Sequence, residues 1–360
     1  MRSNYKKLGG YIRPVDERNS DLAITNLQGV SITKEFVPSI ANIIGTDLST
    51  YKIVKTGQFA YGPVTSRNGD KVSIALLKGK DCIISSSYSP FEVYKPDELL
   101  PEYLMLWFMR PEFDRYARFM SNGSAREVFD WDCMCGVELP VPPLPEQQKI
   151  VRDYQVITDR IVLLQKINDK LEEQGDTIYK GVFEQYDELP ADWRFHTLSE
   201  YLPVITGKKD VNTTCDGGKY PFFSCSQDCL WTNEYSFNTD AILVAGNGDF
   251  NVKYYSGMFE AYQRTYVLVP KKNHLVGWLY YVVKRNLPKA VTAARGSVIS
   301  FITKGILEEI TFAVPDDQEL LNSYCERLLI ILTAKRKNNV EILRLEQLQL
   351  VVLNSMAKGA

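Results

Sequence analysis

The sequence predicts an α+β protein in which two pseudo-symmetric, mixed α/β globules are separated by two long helices that form an antiparallel coiled coil. Two observations predict this fold class. The same series of landmarks occurs twice along the 360 residues, and each series ends in a long stretch with helical hydrophobic spacing. The length suits two domains, and a composition of 45% hydrophobic and 24% charged residues is that of an ordinary globular protein.

The duplication rests on landmarks that keep their order in both copies. A proline closes a strand-like segment 19 residues after the glycine of a Gly-Ser pair, and a glutamine-containing helix start follows it. The landmarks are an aromatic helix (101–110 and 275–284), the Gly-Ser pair (123–124 and 296–297), the proline (Pro142 and Pro315) and the helix start (145–150 and 317–321). We therefore expect a globule at 1–144, a long helix at 145–186, a second globule at 187–316 and a second long helix at 317–360.

The first long helix has the clearer pattern. Its apolar residues follow alternating steps of three and four, which is the spacing of a coiled-coil seam. The seam consists of Ile150, Tyr154, Ile157, Ile161, Leu164, Leu171, Ile178 and Val182. Asn168 and Gly175 occupy the two remaining seam positions, and Asn168 is either a buried residue that sets the register or a solvated one.

The second long helix is less regular. Its seam begins with Leu321, Leu328 and Leu332, is interrupted by the polar segment 335–339, and resumes with Ile342, Leu345, Leu348 and Val352. The segment 348–353 is apolar on nearly every side, which predicts burial against more than one neighbour. Two long helices separated by a globule pair most simply as an antiparallel coiled coil.

The sequence contains no recognisable catalytic motif. Only two histidines occur, His196 and His274, which leaves little room for a histidine-based triad or metal site. Neither a GxxxxGK[ST] phosphate loop nor a GxSxG elbow is present, and 245–250 is interpreted as a turn between strands. We expect no catalytic residue, no metal and no cofactor.

The near-neutral net charge of −2 neither requires nor excludes a nucleic-acid partner, because basic groups can cluster on one face. The odd number of cysteines, seven, favours reduced thiols. The sequence also lacks a recognisable signal peptide or a transmembrane stretch, so we expect a cytoplasmic protein without a membrane partner.

The duplication, the two helices and the segment PPLPEQQKIV at 142–151 together resemble the DNA-specificity subunit of type I restriction-modification systems. The resemblance covers the whole chain, and the second copy of the motif, VPDDQEL, is degraded. It implies that each globule is a target-recognition domain for one half of a bipartite double-stranded DNA site, and that the helices set the spacer. It also implies a non-catalytic subunit that recruits two methyltransferase (modification) subunits and, through them, restriction subunits.

DNA recognition requires polar side chains on loops that reach a groove and cationic ones at phosphates. The candidates in the first globule are Thr65, Ser66, Arg67, Asn68 and Lys71, with Ser124 and Arg126 as phosphate contacts. Those in the second are Lys208, Lys209, Asn247, Asp249, Asn251, Lys253 and Arg264, with Arg295 and Ser297 as phosphate contacts. Each set is also compatible with an ordinary solvated surface.

Two alternatives remain open from the sequence. The chain could serve a related system in which restriction and modification activities share one polypeptide. It could also be a coiled-coil adaptor whose globules bind protein or glycan. The adaptor predicts no salt-sensitive DNA binding, whereas the specificity subunit predicts an affinity that falls steeply as salt rises.

Overall fold

The computed structural model describes residues 5–40, 45–66, 68–69, 71–121, 127–186, 188–215, 217–248, 250–293 and 301–357. The first half contains the strands β1 (Tyr5–Lys7), β2 (Ile12–Pro14), β3 (Gln28–Val30), β4 (Phe36–Pro38), β5 (Lys52–Val54), β6 (Phe59–Tyr61), β7 (Ile74–Leu76), β8 (Cys82–Ile84), β9 (Ser89–Val93) and β10 (Glu138–Pro140). Its helices are α1 (Pro101–Met109), α2 (Pro111–Met120), α3 (Trp131–Cys135) and the long α4 (Leu144–Phe183).

The second half repeats this mixture. Its strands are β11 (Trp193–Thr197), β12 (Val204–Thr206), β13 (Tyr220–Phe223), β14 (Cys229–Thr232), β15 (Phe237–Ala245), β16 (Val252–Ala261), β17 (Thr265–Leu268) and β18 (Thr311–Pro315). Its helices are α5 (Leu198–Tyr201), α6 (Val276–Ala293), α7 (Lys304–Glu308) and the long α8 (Gln318–Ser355). Residue contacts divide the chain into two compact units, one formed by 1–161 with 343–360 and the other by 162–342.

The first unit is built on a four-stranded antiparallel sheet in the order β2-β9-β6-β7. The aromatic helix α1 packs on this sheet, and Trp107 is buried as expected. Stacked and edge-on rings of Phe59, Phe91 and Phe108 fill the space between them. A separate antiparallel pair, β1 with β10, leads directly into α4.

The second unit repeats the same sheet and extends it. The order is β12-β17-β15-β16, with the hairpin β13-β14 added through a parallel pairing of β13 with β16. The aromatic helix α6 buries Trp278, Tyr280 and Tyr281, as the sequence predicts. The antiparallel pair β11 with β18 precedes α8 in the same way that β1 with β10 precedes α4.

The two sheets therefore share one topology. In each, the first strand pairs with the last, the last with the second of the four in chain order, and the second with the third. The predicted fold class is confirmed, with two sheet domains and the long helices α4 and α8 packed antiparallel. Loops and flanking strands differ between the copies, which explains why the duplication is visible in the sequence only as scattered landmarks.

Side-chain hydrogen bonds between α4 and α8 inside each unit show that the two helices pair antiparallel. In the first unit, Gln349 Nε2 donates to Thr158 Oγ1 at 2.8 Å. In the second unit, Asn168 bonds to both Asn338 and Asn339 at 2.8 Å. The seam asparagine is thus half-buried and paired with the polar segment of α8 that interrupts the second seam.

The buried face of α4 departs from the predicted seam near its C-terminus. Tyr179 and Phe183 are buried there, whereas the predicted Ile178 and Val182 are only partly so. The reason lies at Gly175, where a Cβ atom would come within 1.9 Å of the Tyr281 hydroxyl. This part of α4 packs against α6 as well as α8, so its buried stripe rotates away from a strict heptad.

The expected burial of the apolar segment 348–353 is wrong for most of its residues. Leu348, Leu350 and Val351 are 46%, 50% and 61% exposed, and only Leu353 is fully packed, in the core of the first unit. A single helix face can contact α4, and the residues on the other faces of α8 remain at the surface. No helix in the described part of the chain is long and apolar enough to span a membrane.

Candidate nucleic-acid interface

In the first unit, the predicted residues Thr65, Ser66, Asn68 and Lys71 lie on the hairpin loop that connects β6 to β7. The loop spans 62–73 and is closed by a hydrogen bond from Gly62 N to Ser73 O at 2.8 Å. One side of it pairs with residues 127–129, since Thr65 N donates to Glu127 O and Phe129 N donates to Pro63 O. The loop is thus anchored at its base and along one side.

The predicted residues of this loop have different environments. Thr65 is only 2% exposed, and its hydroxyl bonds to Ser121 Oγ at 3.0 Å, so it holds the loop from inside. Ser66 and Lys71 are exposed, and Asn68 is half-buried with its backbone N–H on Thr65 O. Ser66, Asn68 and Lys71 are therefore the described residues of this set that a ligand can reach.

In the second unit, three turns meet at one end of the six-stranded sheet. They are 224–228 between β13 and β14, 246–251 between β15 and β16, and 262–264 between β16 and β17. Gly246 N donates to Arg264 O at 2.9 Å, and Asn251 Nδ2 donates to Cys225 O at 2.9 Å. The segment 207–209 joins them, because Lys208 N donates to Ala261 O and Gln263 N to Lys209 O.

This convergence brings the predicted residues of the second globule together. Asn251 and Lys253 bind the backbone of the turn 224–228 through Cys225 and Ser226, so they tie two turns to each other. Lys209 is paired with Glu234 at 2.9 Å, and this hydrogen bond raises the pKa of the Lys209 ammonium group.

Two of the predicted cations remain at the surface of this end of the sheet. Lys208 is exposed, with its Nζ 5.6 Å from the centre of the Phe237 ring. Arg264 is exposed too, and its guanidinium forms no ion pair with any other residue that the structure describes. Arg264 and Lys208 can therefore meet an anionic ligand without breaking an internal ion pair.

Six predicted residues lie outside the described part of the chain: Arg67, Ser124, Arg126, Asp249, Arg295 and Ser297. Sequence reasoning missed two polar residues on the three turns: Gln263, beside the predicted Arg264, and Gln227, on the turn that Asn251 and Lys253 contact. Their signal was a glutamine beside Ser, Asp or Arg in a short polar segment between strands, which is typical of turns but carries no functional signature by itself.

Some candidates of the two sets occupy equivalent places in the shared topology, namely Thr65, Ser66, Asn68 and Lys71 in the first unit and Asn247 and Asn251 in the second. The loop 62–73 and the turn 246–251 each connect the second to the third strand of the common four-stranded sheet. Each is flanked by the same kind of bridge, Val64 with Val128 in the first unit and Asn247 with Phe301 in the second. The hairpin loop and the bridge beside it thus recur as one structural unit, which we call the recognition hairpin.

The chemistry of the recognition hairpins is that of binding. Their described residues present amide, hydroxyl and ammonium groups, and Arg264 on the adjoining turn 262–264 adds a guanidinium group. Such groups can contact base edges and phosphates. The described residues include no group of three or more His, Cys, Asp or Glu that could hold a metal ion. A cleft of about 880 Å³ in the first unit lies elsewhere, between the segment 76–81 and helices α1 and α4, and none of the predicted residues line it.

Comparison with known proteins matches this arrangement to a family. The model of the type I restriction modification DNA specificity domain matches twice, over residues 32–173 and 190–342. The chain belongs to this family. The two matched segments cover most of its length and each includes one recognition hairpin, so the duplicated sheets correspond to two copies of the family domain.

Individual relatives are similar over parts of their length. The specificity subunit of the type I restriction enzyme EcoDI from Escherichia coli is 41% identical over 132 residues, which is 37% of this chain and 30% of that protein. The chain thus aligns with less than a third of this relative. The MjaIX specificity subunit from Methanocaldococcus jannaschii is 20% identical over 303 residues, 73% of this chain and 69% of that protein.

A solved structure shares the fold over nearly the whole chain. The S subunit of a type I restriction-modification system from M. genitalium superposes with a TM-score of 0.64, covering 98% of this chain and 95% of that one. The sequence identity is 15%, so this likeness concerns the fold alone.

Proposed function

We propose that this chain is the DNA-specificity subunit of a type I restriction-modification complex and that each sheet domain recognises one half of a bipartite DNA site. The single observation that carries the proposal is the recurrence of the recognition hairpin at the same place in two copies of a DNA specificity domain. Two binding modules on one chain suit a target with two separate half-sites.

The proposal assigns residues to roles. Target-recognition domains at 1–144 and 187–316 contact DNA through Ser66, Arg67, Asn68 and Lys71 in the first domain and Lys208, Asn247, Asp249 and Arg264 in the second. Thr65, Asn251 and Lys253 support these loops through the bonds described above. Lys209, Ser124, Arg126, Arg295 and Ser297 are proposed phosphate contacts, and for Lys209 such a contact would replace its ion pair with Glu234.

The long helices have a separate role in this proposal. Segments 145–186 and 317–360 set the length of the unread spacer and bind two modification subunits, which in turn recruit restriction subunits. The exposed apolar residues of α8 support the docking role, since Leu350 and Val351 leave apolar surface uncovered on a helix. The chain performs no chemistry itself and acts in the cytoplasm.

Arg264 provides a direct test of DNA recognition. In the complex with its modification subunits, we expect Arg264→Ala to weaken binding of the cognate DNA by about tenfold, because one exposed cation is lost from the turn 262–264 beside the hairpin. Fluorescence anisotropy over a salt series measures the affinity and its salt slope. A slope smaller by about one indicates a phosphate contact, and lost discrimination at one base pair indicates base recognition.

Arg194→Ala is the matched control. Arg194 has an exposed guanidinium in the same unit, on β11, where it pairs with Asp316. The Arg194→Ala variant also loses one positive charge, but at a position outside the three turns. It should therefore leave the affinity for DNA within twofold of that of the wild type. Equal affinities for the two variants and the wild type would contradict the proposed interface.

Methylome sequencing tests the proposal as a whole. Cells that carry this chain with its modification subunit should contain methylated adenine in a two-part motif with a fixed gap, and deletion of the chain should abolish it. Methylation that persists after the deletion would contradict the proposal and favour an adaptor that binds protein or glycan.

A further inference from the structure

We propose that one face of helix α2, formed by Asp114, Arg118 and Ser121, positions the recognition hairpin of the first globule and thereby sets its base specificity. This inference rests on the proposed function. The three residues are separated by four and three positions, so they lie on the same side of the helix and its C-terminal cap. We call them the α2 positioning face.

Each residue of the α2 positioning face holds a different point of the loop. Asp114 Oδ1 accepts a hydrogen bond from Val72 N at 3.0 Å, at the end of the loop. Arg118 donates from its guanidinium to Gly69 O at 2.8 Å, in the middle. Ser121 Oγ accepts from the Thr65 hydroxyl at 3.0 Å, at the beginning. The three bonds therefore hold the loop that carries Ser66, Asn68 and Lys71 at its beginning, its middle and its end.

The bond at Asp114 is reinforced by a buried ion pair. Lys34 Nζ lies 2.5 Å from Asp114 Oδ1, and the two side chains are 6% and 12% exposed. The same ammonium group donates to Val72 O at 3.3 Å, so both backbone polar groups of Val72 are bound by the pair. A buried ion pair is costly unless its partners are well satisfied, and here its remaining bonds are directed to the loop backbone.

Arg118 holds the middle of the loop through the carbonyl group of Gly69. Gly69 has a positive φ of 61°, and its carbonyl faces the helix rather than another strand. The guanidinium group of Arg118 also lies 3.5 Å from the side-chain carboxylate of Glu127. The backbone carbonyl of Glu127 accepts the hydrogen bond from Thr65 N. Arg118 thus connects the loop, the neighbouring segment and α2. A loop held in its binding conformation loses less entropy when it meets DNA, which favours a unique set of base contacts.

The second globule has no counterpart of this arrangement among its described residues. Its recognition hairpin is held by the turns at 224–228 and 262–264 through Asn251 and Gly246. The bonds of the α2 positioning face all go to the loop of the first globule, so we expect its effect in the first half-site, and the two halves of one DNA target can be compared.

The test uses the complex with its modification subunits and compares Arg118→Met with Arg115→Met. Arg115 lies on the same helix, is exposed and, among the described residues, pairs with Glu112 alone, so its variant removes the same charge without removing a described bond to the loop. Methylation rates are measured on cognate DNA and on DNAs with single base changes in each half-site. We expect Arg118→Met to reduce discrimination about tenfold in one half-site and leave the other half-site unchanged.

A second pair of variants tests the same face without any change of charge. Ser121→Ala removes the acceptor of the Thr65 hydroxyl and should reduce discrimination in the same half-site, whereas Ser121→Thr keeps the hydroxyl and should restore it. Thermal unfolding of all variants separates positioning from stability, since a purely structural role predicts a lower Tm and weaker binding of cognate DNA without a selective loss of discrimination at single base pairs.

The possible outcomes separate the inference from the proposed function. A wild-type complex without any two-part sequence preference would overturn the proposed function and the inference with it. A wild-type preference that persists unchanged in Arg118→Met and Ser121→Ala would overturn the inference alone. Equal losses in both half-sites, or equal losses in Arg118→Met and Arg115→Met, would overturn it as well.

Discussion

Gln147 shows what a single residue of the sequence motif contributes. It is completely buried at the start of α4, and its amide makes three hydrogen bonds. Its Oε1 accepts from Leu100 N at 2.9 Å, and its Nε2 donates to Glu98 O and Pro142 O at 2.8 Å. The glutamine therefore joins the N-terminus of α1, the end of β10 and the start of α4, which explains why this segment is a distinctive motif.

The second copy of the motif is degraded for a visible reason. At the start of α8, Asp317 Oδ1 accepts hydrogen bonds from the backbone of Glu319 and Leu320, which is an ordinary N-cap. Gln318 is exposed and makes no bond of the Gln147 type with a described residue. The second helix thus begins without a buried amide, and its start needs no particular glutamine.

Replacing Gln147 should destabilise the folded protein. We expect Gln147→Met to lower the free energy of unfolding by about 3 kcal/mol, because one backbone N–H and two carbonyl groups lose their partners in a buried site. Gln148→Met is the matched control, since Gln148 is exposed on the same turn and should change the stability by less than about 0.5 kcal/mol. Urea unfolding compares the two variants. Similar midpoints for both would contradict the role given to Gln147.

At the scale of elements, helix α4 combines two kinds of packing. Its middle meets α8 through Asn168, and its C-terminal part meets α6 at Gly175. The same part carries charges, as Lys284 of α6 contacts Glu172 and Asp176, and Lys335 of α8 contacts Glu172. These charged contacts surround the position where the Tyr281 ring approaches the helix backbone, so glycine there permits the close approach of α6.

The two glycines of α4 provide a matched prediction. We expect Gly175→Ala to lower the free energy of unfolding by about 1–2 kcal/mol, because the new methyl group displaces the buried Tyr281 ring. Gly181→Ala should raise it by up to about 1 kcal/mol, since Gly181 has open space and alanine favours helix. Calorimetry measures both. A stabilising Gly175→Ala would show that Tyr281 can move at little cost.

At the scale of the molecule, each unit has its own hydrophobic core. Leu8, Phe59 and Trp107 belong to the core of the first, and Trp278 and Leu328 to that of the second. The helices α4 and α8 contribute residues to both units, because the division of the chain falls within them. Stability is therefore expected to vary from one unit to the other even though no linker separates them in the sequence.

Hydrogen exchange tests this division. We expect Gln147→Met to increase exchange in β6 of the first unit by roughly a hundredfold, which corresponds to about 3 kcal/mol, with a smaller change in β15 of the second unit. Gly175→Ala should increase exchange more in β15 of the second unit than in β6 of the first. Equal increases in both strands for each variant would show that the two units unfold as one.

The sequence by itself determined the duplication, the two long helices, the aromatic helices and the turn between strands at 245–250. These features depend on local spacing and on turn-forming residues, which act over a few positions. The placement of Asn247 on a turn between two strands is of this kind.

Only the tertiary structure decided what the individual residues do. Thr65 proved to be buried, and Lys253 and Asn251 proved to bind the backbone of another turn, because their partners are far away in the chain. The drift of the α4 seam and the exposure of Leu350 likewise depend on which element packs on each face. Such contacts follow from the three-dimensional arrangement of strands and helices, and they cannot be predicted from the hydrophobic spacing along one segment.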